Sequence, residues 1–494
     1  MDIYNKSGKF TYEIENVCRL FFPNEKFNHK MSYVEQDNLH DYVSTQIFES
    51  EDNEVIKVVV GAKIDEKELS ENSEIKKNTE DFKNELECLI ARLLFKVLSE
   101  ATLLTPSWGI VTGVKPVKLY RSLINQGGED YASKYFSDKL LVSKEKLELV
   151  KTTNKYENNI LSLSKKNSFS LYIAIPFCPS RCSYCSFVSQ SIEKCAKLIP
   201  DYLQLLIKEI EYTATIAKNL KLKLETVYIG GGTPTTLDDI QLAKLIEAVN
   251  LNFDMKDCRE FTIEAGRPDT INKAKLYAMK NGNVNRISIN PQTLNDSVLE
   301  TIGRKHTAQQ AIEAFSLARE VGINSINMDL IAGLPGDNYE SFCNTVDKIC
   351  SLSPEGITIH TLSLKRSSYL NIKEKSKINN NSNDLKYTLG KTYEKLAQKG
   401  YHPYYLYRQS RMVENMENIG WAKMNHDGLY NIYVMDETHT ILACGAGGVT
   451  KLKEYKDNKI ERIFNYKFAY EYISGFDEML QRKRKVEEFY EKFQ

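Results

Sequence analysis

From about residue 170 the chain alternates short apolar runs with helical patterns, and this alternation confines that region to a parallel sheet built from βα units. Leu171-Tyr-Ile-Ala-Ile-Pro176 predicts a first strand, Glu225-Thr-Val-Tyr-Ile229 a second and Glu260-Phe-Thr-Ile-Glu264 a third. Arg286-Ile-Ser-Ile-Asn290, Ser325-Ile-Asn-Met-Asp-Leu-Ile331 and Gly356-Ile-Thr-Ile-His360 follow as the fourth, fifth and sixth, with helices expected over 202–219 and around 237–250. Six units in roughly 200 residues suit a partial (β/α)6 barrel of α/β class better than a closed eight-stranded one. The polar residues fall in register. A cysteine-bearing loop follows strand one, Gly230-Gly-Gly-Thr-Pro234 follows strand two, Glu264 ends strand three, Gln292 follows strand four and Asp329 lies near the end of strand five. In a parallel barrel these ends open on one face, where such folds carry out chemistry.

The loop after strand one reads Cys178-Pro-Ser-Arg-Cys182-Ser-Tyr-Cys185-Ser-Phe187, three cysteines with no fourth in the run. A structural zinc site takes four ligands, usually as two separated CxxC-type pairs. Three chance cysteines or a zinc knuckle are the bland alternatives. In a 4Fe–4S cubane, three thiolates leave one iron open to a non-protein ligand. Such an iron can bind the amino and carboxylate groups of S-adenosylmethionine and pass an electron to its sulfonium. Cleavage then yields a 5′-deoxyadenosyl radical able to remove hydrogen from unactivated carbon. The triple glycine after strand two lets backbone groups approach a ligand that a side chain would block. Glu264 and Asp329 can accept hydrogen bonds from ribose hydroxyls or an ammonium, and Arg304 can pair with a carboxylate; buried Glu–Arg pairing is the structural alternative. Lys305 reads equally well as a surface helix cap, and His306, His360 and His402 have no metal-ligand spacing, so structural or substrate-lining roles are expected of them.

The Cx3CxxC run, with Tyr184 before its last cysteine, resembles the signature of the radical SAM superfamily. Within it the chain resembles the oxygen-independent coproporphyrinogen III oxidases and their relatives, in the oxidase-like branch with an N-terminal extension. The resemblance is carried by Tyr172-Ile-Ala-Ile-Pro-Phe-Cys178, Gly230-Gly-Gly-Thr-Pro-Thr235, Asn285-Arg-Ile-Ser-Ile-Asn-Pro-Gln292, Asn327-Met-Asp-Leu-Ile-Ala-Gly-Leu-Pro335 and Cys444-Gly-Ala-Gly-Gly-Val-Thr450. It implies one 4Fe–4S cluster on Cys178, Cys182 and Cys185, one S-adenosylmethionine on the cluster and, as in characterised members, a second beside it. Tyr172, Gly231 and Glu264 would contact the first molecule. Tyr184, Gly232, Thr233, Gln292, Arg304 and Asp329 would contact the second.

The implied reaction is oxidative decarboxylation of coproporphyrinogen III to protoporphyrinogen IX, with an electron donor such as flavodoxin or ferredoxin. Arg304, Lys365, Arg366, Arg408 and Arg411 are candidate partners for substrate propionates by charge and location. The chain departs from the family's oxidases in two places: Phe187 stands where they carry a further cysteine, and Ala174 where they carry a histidine. The related haem chaperones share an aromatic at the Phe187 position but show a His-Asn-x-x-Tyr-Trp motif where this chain reads Gly428-Leu-Tyr-Asn-Ile-Tyr433. A haem-delivery protein that keeps the cluster, and a radical enzyme acting on another tetrapyrrole, therefore stand as alternatives.

The 494 residues suggest an N-terminal α+β domain over 1–165, the barrel over 166–400 and a C-terminal extension over 401–494, short of the family's helical domain. In the first, strands are expected at 45–49 and 55–60, and an amphipathic helix over 82–98. The loop Trp108 to Pro116 is expected as a lid or substrate-contacting loop or as a packed inter-domain loop, and 377–384 as a flexible polar surface loop. Lys plus Arg and Asp plus Glu both number 66, which gives no reason to expect nucleic acid as the partner. The basic run Gln481-Arg-Lys-Arg-Lys485 reads as a solvated helix face. No apolar stretch spans a bilayer, the N-terminus is too polar for a signal peptide, and cysteines outside the triplet lack framework spacing, so a cytoplasmic protein is expected. Cys195 reads as a fourth ligand or an incidental thiol.

Overall fold

The computed structural model describes residues 1–494 apart from 32–39, 51–53, 78–80, 188, 364–381, 410–411, 455–458 and 494. Two compact units emerge, residues 1–151 with 408–416, and residues 152–407 with 417–494.

In the first unit β1 (Asp2–Asn5), β2 (Asn28–Lys30), β3 (Tyr42–Glu49), β4 (Val55–Ile64) and β5 (Lys67–Lys76) form one sheet in the order β2-β1-β3-β4-β5. Strand alternation sends Ile56, Val58, Val60, Ala62 and Ile64 of β4 to the buried side. Against them pack α1 (Thr11–Phe21) and α2 (Phe82–Thr102), through Ile14, Val17, Phe21, Leu86, Ile90, Leu94 and Leu98. Both expected strands are present and longer than their apolar cores, because β3 and β4 pair from Tyr42↔Lys63 to Glu49↔Ile56. β5 is polar at nearly every position, so no apolar pattern marks it; it is held by antiparallel pairing to β4 along its whole length. Trp108 is buried, with the Arg408 guanidinium 5.2 Å from its ring centre. Arg408 also donates to the carbonyls of Val111 and Asn415. The Trp108 loop is thus a packed part of this unit.

The second unit is an open sheet of eleven strands. Its strands are β6 (Ser168–Ile175), β9 (Lys223–Gly231), β10 (Glu260–Glu264), β11 (Arg286–Gln292), β12 (Ile326–Ala332), β13 (Gly356–Thr361), β14 (His402–Tyr407), β15 (Asn418–Ala422), β16 (Thr440–Cys444), β17 (Val449–Lys453) and β18 (Ile460–Phe464); β7 (Phe177–Cys178) and β8 (Gln190–Ser191) make a separate ribbon. The six expected strands, β6, β9, β10, β11, β12 and β13, are parallel and neighbours in chain order. Antiparallel β15 and β14 continue the sheet beyond β13. On the other side β16 pairs parallel to β6, and β17 and β18 follow antiparallel. The architecture is a partial barrel with α-helices between the parallel strands.

The boundaries differ from those expected at 165 and 400. Residues after 151 already pack with the barrel unit: Tyr156 stacks on His402 with ring centres 3.7 Å apart, and Ile160 and Leu161 pack against Tyr404 and Tyr405. Residues 417–494 are integral, since β16 is a parallel strand of the sheet. The basic run near the C-terminus is also not uniformly solvated. Arg484 and Lys485 are exposed, but Lys483 is buried and its ammonium lies 2.9 Å from the buried Glu209 carboxylate and donates to the Ala443 carbonyl at 2.7 Å. Glu209 in turn accepts from Gly445 N–H (2.7 Å), Tyr472 Oη (2.5 Å) and Asn465 Nδ2 (2.7 Å). This network fixes the Gly445–Gly448 loop against the end of β6, where Tyr202 Oη donates to the Ala174 carbonyl and accepts from Ala446 N–H. A side chain at Gly445, which has φ +90°, would overlap that carbonyl.

Removing the ammonium would strand a buried carboxylate. Lys483→Met is expected to lower unfolding stability by about 3–5 kcal/mol, whereas Lys485→Met in the same run should change it by less than about 0.5 kcal/mol. Urea denaturation of the two variants separates the buried ion pair from a solvated one.

Candidate functional site

The cysteine loop is fastened to the strand-two end by main-chain hydrogen bonds. Gly232 N–H donates to the Ile175 carbonyl at 2.8 Å, and Thr233 N–H to the Phe177 carbonyl at 2.7 Å. The approach is so close that a Cβ at Gly232 would sit 2.6 Å from Phe177 O and 3.0 Å from Cys178 Sγ, and Gly231 adopts φ +105°. Only glycine meets both demands. Thr233 Oγ1 donates to Cys178 Sγ at 3.4 Å. On the other side Ser183 N–H and Oγ both donate to the Ile302 carbonyl, at 3.0 and 3.2 Å, tying the loop to the segment before Arg304.

A buried arginine lies beside the thiols. Arg267 forms a two-pronged pair with Asp269, 3.0 Å at each contact, and its Nη1 reaches Ser180 Oγ at 3.1 Å and Cys182 Sγ at 3.9 Å. Burial pushes the Cys178 thiol up, opposed by hydrogen bonds from Ser189 and Thr233 and by the Arg267 charge; burial pushes Cys185 up to about 11. A bound metal deprotonates its thiols outright, and the neighbouring cation favours that state. Among the described residues no three His, Cys, Asp or Glu side chains converge on a single-ion position. A cubane does not require that, since its three protein thiolates bind three different irons. The all-sulfur donor set, Arg267 beside it and the side-chain-free face at Gly231 and Gly232 fit an iron–sulfur cluster with an organic ligand at its open corner.

The interior behind the loop is lined by polar and aromatic side chains. Glu264 on β10, Ser288 on β11 and Asn327 on β12 are register partners, and Asp329, two residues past Asn327, shares their face of the sheet. Tyr228 Oη donates to Glu264 Oε1 at 2.5 Å. The Tyr228 ring stacks on Tyr430 at 4.5 Å, and Tyr172 stacks beside both at 6.3 and 6.2 Å. Tyr430 enters from the opposite end of the barrel. It lies in the helix Leu429–Asp436, whose first N–H groups are held by Glu260 at the start of β10, 2.6 Å from Leu429 N and 3.3 Å from Tyr430 N. Asp329 accepts from Asn327 Nδ2 at 2.7 Å, and its other oxygen lies 3.7 Å from His360 Nε2. Burial alone would raise the Asp329 carboxyl, but His360, Asn327 and Thr358 together hold it below its ordinary value.

Arg304 is buried and directed inward. It donates to the carbonyls of Asn290 (2.7 Å) and Gly266 (3.2 Å) and to Tyr184 Oη (3.1 Å), so it joins the fourth strand end to the cysteine loop. Gln292, buried at φ +69° where β11 and β12 slip register, leaves its Oε1 without a partner, as does the Arg304 Nε. This buried amide oxygen, held in a strained backbone position, is able to accept a hydrogen bond from a bound ligand. His306 is buried and held neutral, pushed down to about 4 by burial and by Arg304 and Arg267.

The structure therefore brings Cys178, Cys182, Cys185, Tyr184, Gly231, Gly232, Thr233, Gln292 and Arg304 to one end of the barrel. Tyr172, Glu264 and Asp329 line the interior beneath it. Arg408 falls in the first unit, where its guanidinium donates to the carbonyls of Val111 and Asn415 and lies over the Trp108 ring. Lys365, Arg366, Arg411 and most of 377–384 lie outside the described residues. Lys305 is exposed and pairs with exposed Glu193 at 3.1 Å. His402 is structural, 2.7 Å from Asp427 and stacked on Tyr156. Phe187 is 67% exposed beside the last cysteine. Sequence reasoning missed Arg267, Tyr228 and Tyr430. The first carries no motif spacing, and the tyrosines meet only through tertiary folding.

Residues 172–349 match the family model described as the radical SAM superfamily. The chain is 35% identical over 409 residues to the oxygen-independent coproporphyrinogen-III oxidase-like protein HemZ of Bacillus subtilis, covering 82% of this chain and 81% of that protein. It is 31% identical over 314 residues to the heme chaperone HemW of the same organism, covering 61% of this chain and 79% of that one. Among solved structures, coproporphyrinogen III oxidase (HemN) from Escherichia coli shares the fold, with a TM-score of 0.52, 22% identity and coverage of 65% of this chain and 72% of that one.

Burial pushes the Glu264 carboxyl up to about 7, with the Asp329 charge adding to it against the hydrogen bond from Tyr228. A carboxyl raised from 4.5 contributes its stability fully below pH 4.5 and loses it as pH rises through about 7. Glu264→Gln should therefore reduce the fall in stability of the cluster-free protein between about pH 5 and pH 8 by about 2–3 kcal/mol. Urea midpoints at both pH values measure it; parallel pH dependence in the two proteins would place this carboxyl in water instead.

Proposed function

The chain belongs to the radical SAM superfamily and, within it, to the family of oxygen-independent coproporphyrinogen III oxidases and their haem-chaperone relatives; from this premise we propose that it catalyses oxidative decarboxylation of a propionate-bearing tetrapyrrole, coproporphyrinogen III to protoporphyrinogen IX. Supporting this most directly is the convergence, at one end of the barrel, of three thiols, a side-chain-free strand end and a buried amide lacking a partner. Superfamily membership implies a 4Fe–4S cluster and S-adenosylmethionine, and these when bound would supply the radical chemistry that removes hydrogen from unactivated carbon.

In this reading Cys178, Cys182 and Cys185 hold the cluster, and Arg267 offsets the negative charge of the thiolates. Gly231, Tyr172 and Glu264 bind the first S-adenosylmethionine. Tyr184, Gly232, Thr233, Gln292, Arg304 and Asp329 bind a second, with the Gln292 oxygen and Arg304 Nε supplying hydrogen-bonding capacity that the protein leaves unused. The tyrosines Tyr172, Tyr228 and Tyr430 close the floor and exclude water from the reacting carbon. A cytoplasmic protein reduced by a small electron carrier such as flavodoxin or ferredoxin fits this chemistry, and among the described residues no helix is long and apolar enough to cross a membrane. Exposed Phe187, where the family's oxidases carry a cysteine, together with the likeness to HemW, favours a second reading: haem binding and delivery on the same scaffold.

Anaerobic incubation of the reconstituted protein with coproporphyrinogen III, S-adenosylmethionine and a reductant should yield vinyl products by mass. Gly231→Val should abolish both product and 5′-deoxyadenosine, because valine rarely adopts φ near +105°. Intact cofactor cleavage with no vinyl product and stoichiometric haem binding would establish the delivery reading; methylated or ring-opened products would point to another tetrapyrrole reaction.

A further inference from the structure

Resting on the tetrapyrrole reading above, we infer that His360, oriented by Asp329, binds a substrate carboxylate inside the barrel. A substrate with several propionates presents one to the reacting centre and must have the others held by donors. Among the described residues the buried arginines are largely engaged. Arg304 donates to Asn290, Gly266 and Tyr184 and keeps only its Nε, Arg267 pairs with Asp269 and Ser180, and Arg408 belongs to the first unit. His360 is placed differently.

It is the penultimate residue of β13, at the same strand ends as the cysteine loop, and is partly open at 27% side-chain exposure. Strand alternation puts Thr358 and His360 on the concave side while Ile357 and Ile359 are fully buried on the other. Its Nε2 lies 3.7 Å from Asp329 Oδ2, and no described residue hydrogen-bonds to its Nδ1. Asp329 is itself pinned by Asn327, which is held by Ser288 Oγ at 3.0 Å and by Thr358 Oγ1 at 3.2 Å. The ring is therefore placed by a chain of side chains on three neighbouring strands, with one nitrogen toward the carboxylate of Asp329 and the other without a hydrogen-bond partner among the described residues. Glu264 is the second acid facing it, and its protonation near pH 7 limits the repulsion that a further carboxylate would meet. In its protonated form the ring donates from both nitrogens, one toward the Asp329 carboxylate and the other to an anionic side group in a site of low dielectric constant.

The test is equilibrium binding of coproporphyrin III, which carries four carboxylates, and of its tetramethyl ester, to the reconstituted full-length protein by fluorescence quenching in the same detergent. Wild type should favour the tetra-acid. His360→Ala should weaken the tetra-acid about tenfold or more while leaving the ester unchanged, as expected for loss of one hydrogen bond to a charged group. His360→Gln, whose amide N–H can still donate, should recover part of the loss, and circular dichroism of both variants should match wild type. Equal weakening of acid and ester would overturn the assignment in favour of a packing role. Loss in His360→Ala of a six-coordinate haem spectrum, with coproporphyrin binding intact, would overturn it in favour of iron ligation. Failure of wild type to bind either porphyrin would overturn the tetrapyrrole reading, whereas unchanged tetra-acid binding in His360→Ala would overturn His360 alone.

Discussion

Two backbone hydrogen bonds, Gly232 to Ile175 and Thr233 to Phe177, carry the cysteine loop on the end of the barrel. They form only because no side chain stands between the second strand and the first. The room those side chains would need is filled by the backbone of Ile175 and Phe177 and by the Cys178 sulfur. Backbone so close to a thiol also brings Thr233 within reach of the sulfur. One local constraint thus sets the position of the first cysteine, the packing next to it and the polarity around it. Ser183 on Ile302 and Arg267 at Ser180 and Cys182 then hold the rest of the loop from the opposite side.

The polar interior depends on the same end of the sheet being supported from outside. Glu209 and Lys483 form a buried ion pair whose hydrogen bonds run to the Gly445–Gly448 loop, and through Tyr202 to Ala174. A pair so deeply buried persists because the carboxylate is met by four donors and the ammonium also donates to a backbone carbonyl. At the other end, Glu260 holds the helix that sends Tyr430 into the lumen. The Tyr430 helix thus comes from the end of the strands opposite the thiols, and its ring stacks with those of Tyr172 and Tyr228. Radical chemistry needs such a separation, since a reactive carbon centre must be kept from water while its reductant stays accessible.

Much of this was legible in the residues. The apolar runs marked six strands because a parallel sheet buried on both faces needs continuous apolar stretches, and the polar residues at their ends marked the site. β16 was not separable by pattern from other short apolar runs, and its place beside β6 makes the C-terminal region part of the barrel. β5 has no apolar face to read, and Lys483 looks in sequence like its exposed neighbours Arg484 and Lys485. Arg267 and the Tyr172, Tyr228 and Tyr430 stack arise from residues far apart in the chain, joined by topology and not by spacing. Arg408 illustrates the reverse: charge suggested substrate, whereas an indole and two carbonyls claim it.

Electron paramagnetic resonance of the reduced, reconstituted protein, recorded with and without S-adenosylmethionine, examines the barrel mouth most directly. Three thiolates with one open iron predict a single 4Fe–4S signal whose shape changes when S-adenosylmethionine is added. A signal that stays the same in its presence would mean that every iron already has a protein ligand, and would contradict the reading of this end of the barrel as a radical-generating site.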